Sequence, residues 1–174
     1  MINIDDTLYY RSLKREDLAK RVSWINNPDI NDTLTFITPV TLESTERWFD
    51  NIKSDPTKVN LIFFVKENDK YIPIGFGGFV NIDTINKRAE LFITIGEASY
   101  QGRGYGYKVV KFLTEFGFNN LNLNRIFLTT LAHNLKARSL YIKCGYQEEG
   151  YLKKHFFHKG EYKDCFYMAS IKEQ

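Results

Sequence analysis

The 174 residues contain only two cysteines, Cys144 and Cys165. That is too few for a disulfide framework, and no histidine or cysteine accompanies them at a zinc-ligand spacing. Proline is scarce at four and glycine numbers eleven, which excludes collagen-like and linker-like composition. Long apolar runs are missing too. The longest, Leu61-Ile62-Phe63-Phe64-Val65, falls far short of the roughly 18 residues that a membrane span needs. The opening Met1-Ile2-Asn3-Ile4-Asp5-Asp6 is acidic where a secretory signal is basic. Neither sign of charge dominates: 24 basic residues face 21 acidic ones, interspersed along the chain, for a net +3. A nucleic-acid binder wants a concentrated basic face, which is not present here. What the chain does have is large apolar surface, with 14 Phe, 11 Tyr and two Trp. Disordered chains carry far less. A chain of this length buries roughly two-thirds of its unfolded surface as one domain. The expectation is a single cytoplasmic domain over 1–174, binding neither nucleic acid nor membrane.

Periodicity gives the order of elements. A helix is expected over 15–26, with Leu18, Val22 and Ile25 on one face, ended by Asn26-Asn27-Pro28. A second should begin after Thr41 and carry Leu42, Trp48, Phe49 and Ile52. After Pro56 the period shortens. Strands are expected over 59–66, 71–81 and 87–96, joined by short turns into an antiparallel meander. Gly75, Gly77 and Gly78 within the second strand suggest a bulge or a close backbone approach. Next come a glycine-rich turn, a helix carrying Val109, Phe112, Leu113 and Phe116, and a strand over 125–131. A short helix over 134–144 stopped by Gly145 and strands over 146–152 and 161–171 complete a mixed α/β domain with one sheet.

The turn Gln101-Gly102-Arg103-Gly104-Tyr105-Gly106 carries the strongest chemical signal. Alternate glycines let backbone amides point outward, and the following helix adds its unpaired N-terminal amides. Such a concavity binds phosphate oxygens, with charge-assisted help from Arg103 and Lys108. A plain glycine turn between strand and helix has the same pattern. A Walker loop is excluded, because Gly106-Tyr107-Lys108-Val109 lacks the required Gly-Lys-Ser/Thr. A dinucleotide fingerprint fits poorly as well: the spacing is G-x-G-x-G, and no acid stands near position 125 to hold a ribose.

The same turn matches the Q/R-x-x-G-x-G/A pyrophosphate loop of the GCN5-related N-acetyltransferases, the GNAT family. Asn134-Leu135-Lys136-Ala137-Arg138-Ser139-Leu140-Tyr141, followed by Cys144-Gly145-Tyr146, resembles that family's N-x-x-A-x-x-x-Y…G-F/Y segment. The tail from Phe156 to Asp164 is similar to the closing hairpin of the ribosomal-protein and spermidine acetyltransferase branch. The resemblance runs from about Tyr9 to Ile171, with Gly96–Tyr100 one residue longer than in the spermidine branch. It implies a GNAT fold, a mostly antiparallel sheet flanked by helices, whose splayed strands form a cleft for acetyl-CoA as cosubstrate. No metal is implied, and enzymes of this kind are commonly homodimers.

By the same resemblance, the backbone of Ile93, Thr94 and Ile95 would pair with the pantothenate arm. The amides of Gln101, Gly102, Arg103, Gly104, Tyr105 and Gly106 would hold the pyrophosphate. Asn134 would orient the coenzyme, cap the next helix, or do both. Tyr141 occupies the general-acid position, though a core tyrosine would look alike. Glu90 resembles a glutamate that contacts the amine and would take its proton directly or through water; as a strand residue it could equally be a solvated carboxylate. His133 and His155 match no catalytic position. Cys144, at a helix C-terminus, lacks the environment that makes a thiol nucleophilic.

The acceptor implied is a small-molecule or peptide primary amine, bound by the N-terminal helices and the closing hairpin. Trp24, Phe36, Trp48, Tyr151 and Phe157 are candidates for its pocket. Spermidine-like polyamines, nucleotide-linked amino sugars and protein N-termini are the options. The tail favours the first and the segment Trp24-Ile25-Asn26-Asn27-Pro28-Asp29-Ile30 the second. A polyamine pocket should be acidic, and Glu43, Glu46 and Asp50 are available for it. The rival reading is a non-catalytic module of the same fold that senses coenzyme A, in which the Tyr141 and Glu90 positions would have been lost.

Overall fold

The computed structural model describes residues 1–35 and 38–173. Two strands absent from the sequence reading open the chain, β1 (Ile2–Asn3) and β2 (Leu8–Ser12). They are too short to carry a period. Their order comes from pairing with a distant strand and from Asp5, whose carboxylate accepts the backbone N–H groups of Thr7 and Leu8, both at 2.9 Å.

The helix expected from Arg15 starts as a single 3₁₀ turn, Arg15–Asp17, and becomes α1 only at Leu18–Asn26. Asp17 causes the irregularity: its carboxylate accepts the Lys14 N–H at 2.8 Å and is gripped by Arg11 at 2.6 Å. The buried face of α1 is Leu18, Arg21, Trp24 and Ile25, while Val22 is only half-buried. Arg21 lies over the rings of Trp48 and Phe76, at 4.2 and 4.8 Å, and burial lowers its pKa to about 10, so it stays charged at neutral pH. Pro28 begins a helix rather than only ending one. α2 (Pro28–Asn31) takes Asn27 as its cap, with Pro at the first position where its missing N–H costs nothing. α3 (Leu42–Ile52) follows Thr41 as expected, through a reciprocal capping box with Ser44.

The meander is as the sequence indicates: β3 (Val59–Glu67), β4 (Lys70–Asp83) and β5 (Arg88–Ile95). Then come α4 (Tyr105–Asn119), β6 (Arg125–Leu131), α5 (Leu135–Lys143), β7 (Gln147–His158) and β8 (Glu161–Ile171). β7 runs six residues beyond the expected end at Leu152. Its pairing with β8 is interrupted between Leu152 and Phe156, which masks the alternation. Lys159 and Gly160, both at positive φ, close a two-residue hairpin.

All eight strands form one sheet in the order β1-β2-β3-β4-β5-β6-β8-β7, antiparallel except where β5 meets β6. Helices α4 and α5 cover one face over a core that includes Phe63, Phe79, Val110, Leu113, Ile126 and Tyr146. On the other face Leu18, Trp24 and Ile25 of α1 meet Ile62, Phe64 and Phe76. The architecture is the mixed α/β one expected. Among the described residues no helix is long and apolar enough to cross a membrane.

The β4 glycines mark close approach. A Cβ on Gly78, whose φ is +151°, would stand 1.9 Å from the Val59 carbonyl oxygen, an atom fixed in the ladder. Gly78→Val should therefore cost about 3 kcal/mol and lower the melting temperature by roughly 10 °C, read by thermal unfolding.

Candidate active site

β5 and β6 pair in parallel over only three residues, Arg88↔Arg125, Ala89↔Ile126 and Glu90↔Phe127. Beyond Glu90 they separate, so Leu91–Ile95 pairs with β4 alone and leaves its other edge open. The gap is a cavity of about 470 Å³. Its walls are Glu90–Ile95, Thr129–Leu131, the loop residues Gln101, Gly102 and Gly106, and Asn134, Ala137, Leu140 and Tyr141 beside α5; residues from Asp29 to Thr35 close the remaining side.

Strand alternation sorts the chemistry between two faces. Leu91, Ile93 and Ile95 pack toward α4 and α5, whereas Phe92 packs toward α1. Glu90 and Thr94 share Phe92's parity and so belong to the α1–α2 side. Tyr141 approaches from the opposite side, within the core cluster under α4 and α5. The separated strands thus let one cavity reach both groups.

The glycine loop has the expected form, with one change. Gly102 and Gly104 sit at φ +72° and +86°, and Gly104 is the N-cap of α4. Helical hydrogen bonding begins with Lys108 N–H to Gly104 C=O, leaving the first amides of α4 turned outward. A Cβ on Gly106 would press on Leu140 at 3.3 Å, so the loop backbone comes close to α5. Gln101 does not offer its amide. That N–H donates to Ala98 C=O and its side-chain Nε2 to Ile95 C=O at 2.8 Å, clamping the loop to the end of β5. The longer connection from Gly96 to Tyr100 is taken up by a 3₁₀ turn, Ala98–Tyr100.

The basic residues of the loop behave differently from expectation. Lys108 Nζ pairs with Asp5 at 2.7 Å and is spent on the β1–β2 turn. Burial alone would raise the Asp5 pKa, but the hydrogen bonds from Lys108, Thr7 and Leu8 outweigh it and bring it to about 2. Arg103 lies over the Tyr100 ring at 5.4 Å.

Asn134 caps α5, its side-chain oxygen accepting the Ala137 N–H at 3.1 Å. Only its NH₂ remains for the cavity. Glu90 accepts a hydrogen bond from Asn81 Nδ2 at 3.1 Å; Asn81, at φ +54°, lies in the irregular stretch of β4 between Val80 and Asp83. Tyr141 is 7% exposed, and burial together with Cys144 pushes its phenol well above the ordinary 10, so it holds its proton. Burial raises the Cys144 thiol to about 11, which disfavours a thiolate.

Other candidates fall outside the cavity. His133 bonds the Asp32 carbonyl at 3.1 Å and His155 packs edge-on against Phe156. Trp24 is core, stacked on Phe76. Trp48 packs under Arg21, and Tyr151 donates to Asp164 at 2.7 Å. Phe157 pairs with Tyr162 on the hairpin, and Phe36 lies outside the described residues. The acids expected for a polyamine pocket are engaged elsewhere: Glu43 faces Arg47, while Glu46 and Asp50 face Arg15. In their place the structure brings Asp29 to the cavity, which the sequence reading did not single out.

This chain is similar to known acetyltransferases. The profile of the acetyltransferase (GNAT) domain matches residues 7–147. The chain belongs to the GNAT family. A spermidine N(1)-acetyltransferase of Vibrio cholerae serotype O1 is 36% identical over 111 residues, 64% of this chain and 64% of that protein. The chain thus aligns with somewhat under two-thirds of the length of that relative. An uncharacterized N-acetyltransferase, p20, of Bacillus licheniformis is 28% identical over 173 residues, 97% of this chain and 95% of that one. The crystal structure of a Vibrio cholerae spermidine N-acetyltransferase in complex with CoA and spermine superposes with a TM-score of 0.88, at 27% identity and 96% coverage of both chains. The splayed strands, glycine loop and α5 tyrosine of this GNAT chain lie in one continuous cavity.

Proposed function

We propose that this chain transfers the acetyl group of acetyl-CoA to a primary amine of a polyamine such as spermidine, by direct attack. One observation carries the reading: the parting of β5 and β6 opens a single cavity between Glu90 on one face of the sheet and Tyr141 on the other. The loop fits the coenzyme, because its outward amides and left-handed glycines form an anion cradle. Bound there, acetyl-CoA supplies an activated acyl group. Gly102–Gly106 hold the diphosphate, the open edge of Ile93–Ile95 offers backbone groups to the pantothenate arm, and the Asn134 amide orients it.

An aliphatic ammonium has a pKa near 10.4 and must lose a proton before it attacks. Glu90 takes that proton, directly or through one water, with Asn81 steadying the carboxylate. As the C–N bond forms and the C–S bond breaks, Tyr141 gives its proton to the sulfur, and the proton that the newly bonded nitrogen sheds restores the phenol. Polyamines are favoured over the other amines because the acceptor side presents the carboxylates of Glu90 and Asp29, and because relatives and a solved neighbour act on or bind polyamines. A nucleotide-linked sugar would want basic groups on that wall. A coenzyme sensor would have no need of both Glu90 and Tyr141.

The test is acetyl-CoA consumption across a panel of amines. Spermidine is expected to turn over, and Glu90→Gln to lose about 10²-fold in kcat/KM. Tight coenzyme binding with no turnover on any amine would instead support the sensor.

A further inference from the structure

Most acids of this chain are neutralised by a neighbouring cation; Asp32 faces Lys159, Glu97 faces Lys20, and Glu148 faces Arg138. The two carboxylates lining the cavity are different. Among the described residues Glu90 pairs with no cation and accepts a hydrogen bond from the neutral Asn81 amide, and Asp29 has no cationic side chain within ion-pair distance. The hydrogen bond of Asp29 is made by its backbone N–H, to Asn27 Oδ1 at 3.0 Å, which leaves the carboxylate uncommitted. Next to Asp29 along the same wall come Ile30, Thr33, Leu34 and Thr35, none charged. The cation among the lining residues, Lys136, stands on α5, across the gap.

The position of Asp29 is well fixed. Pro28 presets the backbone at the start of α2, Asn27 caps the turn, and Ile30 is buried at 3% exposure. The turn is therefore anchored on both sides of the carboxylate. The Asp29 carboxylate is exposed on the cavity wall, and no cation among the described residues competes for it, so a cationic ligand can reach it.

Resting on the polyamine reading, we propose that Asp29 binds the second, non-reacting ammonium of the acceptor and so sets a preference for diamines and polyamines over monoamines. The chemistry separates the two nitrogens. The attacking one is neutral when it reacts beside Glu90, whereas the others keep their protons at neutral pH. Such an ammonium entering the cavity loses water, and Asp29 replaces that solvation with a charge-assisted hydrogen bond. A monoamine of equal length draws nothing from this contact.

The experiment compares 1,4-diaminobutane and spermidine with butylamine, in the full chain with acetyl-CoA, for the unaltered protein, Asp29→Asn and Asp29→Glu. The unaltered protein is expected to prefer the di- and triamines. Asp29→Asn should lower the ratio of kcat/KM for diamine over monoamine about tenfold, mainly through the KM for the diamine, while the KM for acetyl-CoA holds. Asp29→Glu should recover most of the preference, and raised salt should erode it. Equal use of butylamine and the polyamines by the unaltered protein would overturn the polyamine reading itself. A preference that survives intact in Asp29→Asn would overturn the assignment of Asp29 and leave that reading standing.

Discussion

Tyr141→Phe is expected to lower kcat by about 10²- to 10³-fold and leave the KM for acetyl-CoA nearly unchanged. The substitution removes one oxygen. The ring keeps its packing against Tyr146, at 5.9 Å between centroids, so the core beneath α4 and α5 survives. On the proposed mechanism, what is lost is a proton donor beside the departing sulfur. The pH profile adds a second readout. Burial and Cys144 shift the Tyr141 phenol upward, so the form that can donate persists as pH rises and is lost only above the ordinary value near 10. Activity should therefore climb through neutral and mildly alkaline pH as the acceptor amine deprotonates, with no fall assignable to Tyr141 below 10. A Tyr141→Phe variant with full kcat would mean that solvent protonates the thiolate and that the tyrosine is only a core residue.

How much of this was legible in the sequence depended on the range of the interactions involved. The meander declared itself because β3 is a continuous apolar run, β5 alternates and short turns separate the strands, while the glycines of β4 signalled the close approach found at Gly78. β1 and β2 were silent because a two-residue and a five-residue strand carry no period and exist by pairing with a remote partner. α2 was hidden by the double meaning of proline, which ends one helix and begins the next. The buried charge of Arg21 contradicted the simple apolar face, since aromatic rings rather than aliphatic neighbours receive it.

The site divides in the same way. Its loop was readable from the alternating glycines, and the tyrosine from the resemblance of its contiguous motif to the family's. Gln101 and Lys108 carry the expected residue types, yet tertiary contacts claim them: Gln101 the Ile95 carbonyl, Lys108 the Asp5 carboxylate. Asp29 could not be found in this way. It becomes a cavity residue only through the parting of β5 from β6, a long-range event with no local pattern. Conversely, Glu43, Glu46 and Asp50 sat on a plausible helix, but surface arginines took their charge.

The proposed coenzyme cradle makes the other large prediction, through Gly104. Its φ of +86° and ψ of −6° place it in the left-handed region, and it caps α4 without any side-chain hydrogen bond. Nothing lies within 4 Å of a Cβ built there, so steric room is available and the backbone conformation alone enforces glycine. A β-branched residue at such an angle costs about 2 kcal/mol, or it turns the backbone and scatters the amides of the first turn of α4. Gly104→Val should accordingly weaken coenzyme A binding by about 30-fold, measured calorimetrically. Gly104→Asn, which tolerates the left-handed region, should lose distinctly less. The ranking Gly, Asn, Val is the useful part, because open space predicts no ranking by size. If valine bound the coenzyme as tightly as glycine, the diphosphate would have to be held elsewhere, and the path from Gly102 to the open edge of β5 would no longer describe how the thioester reaches Tyr141.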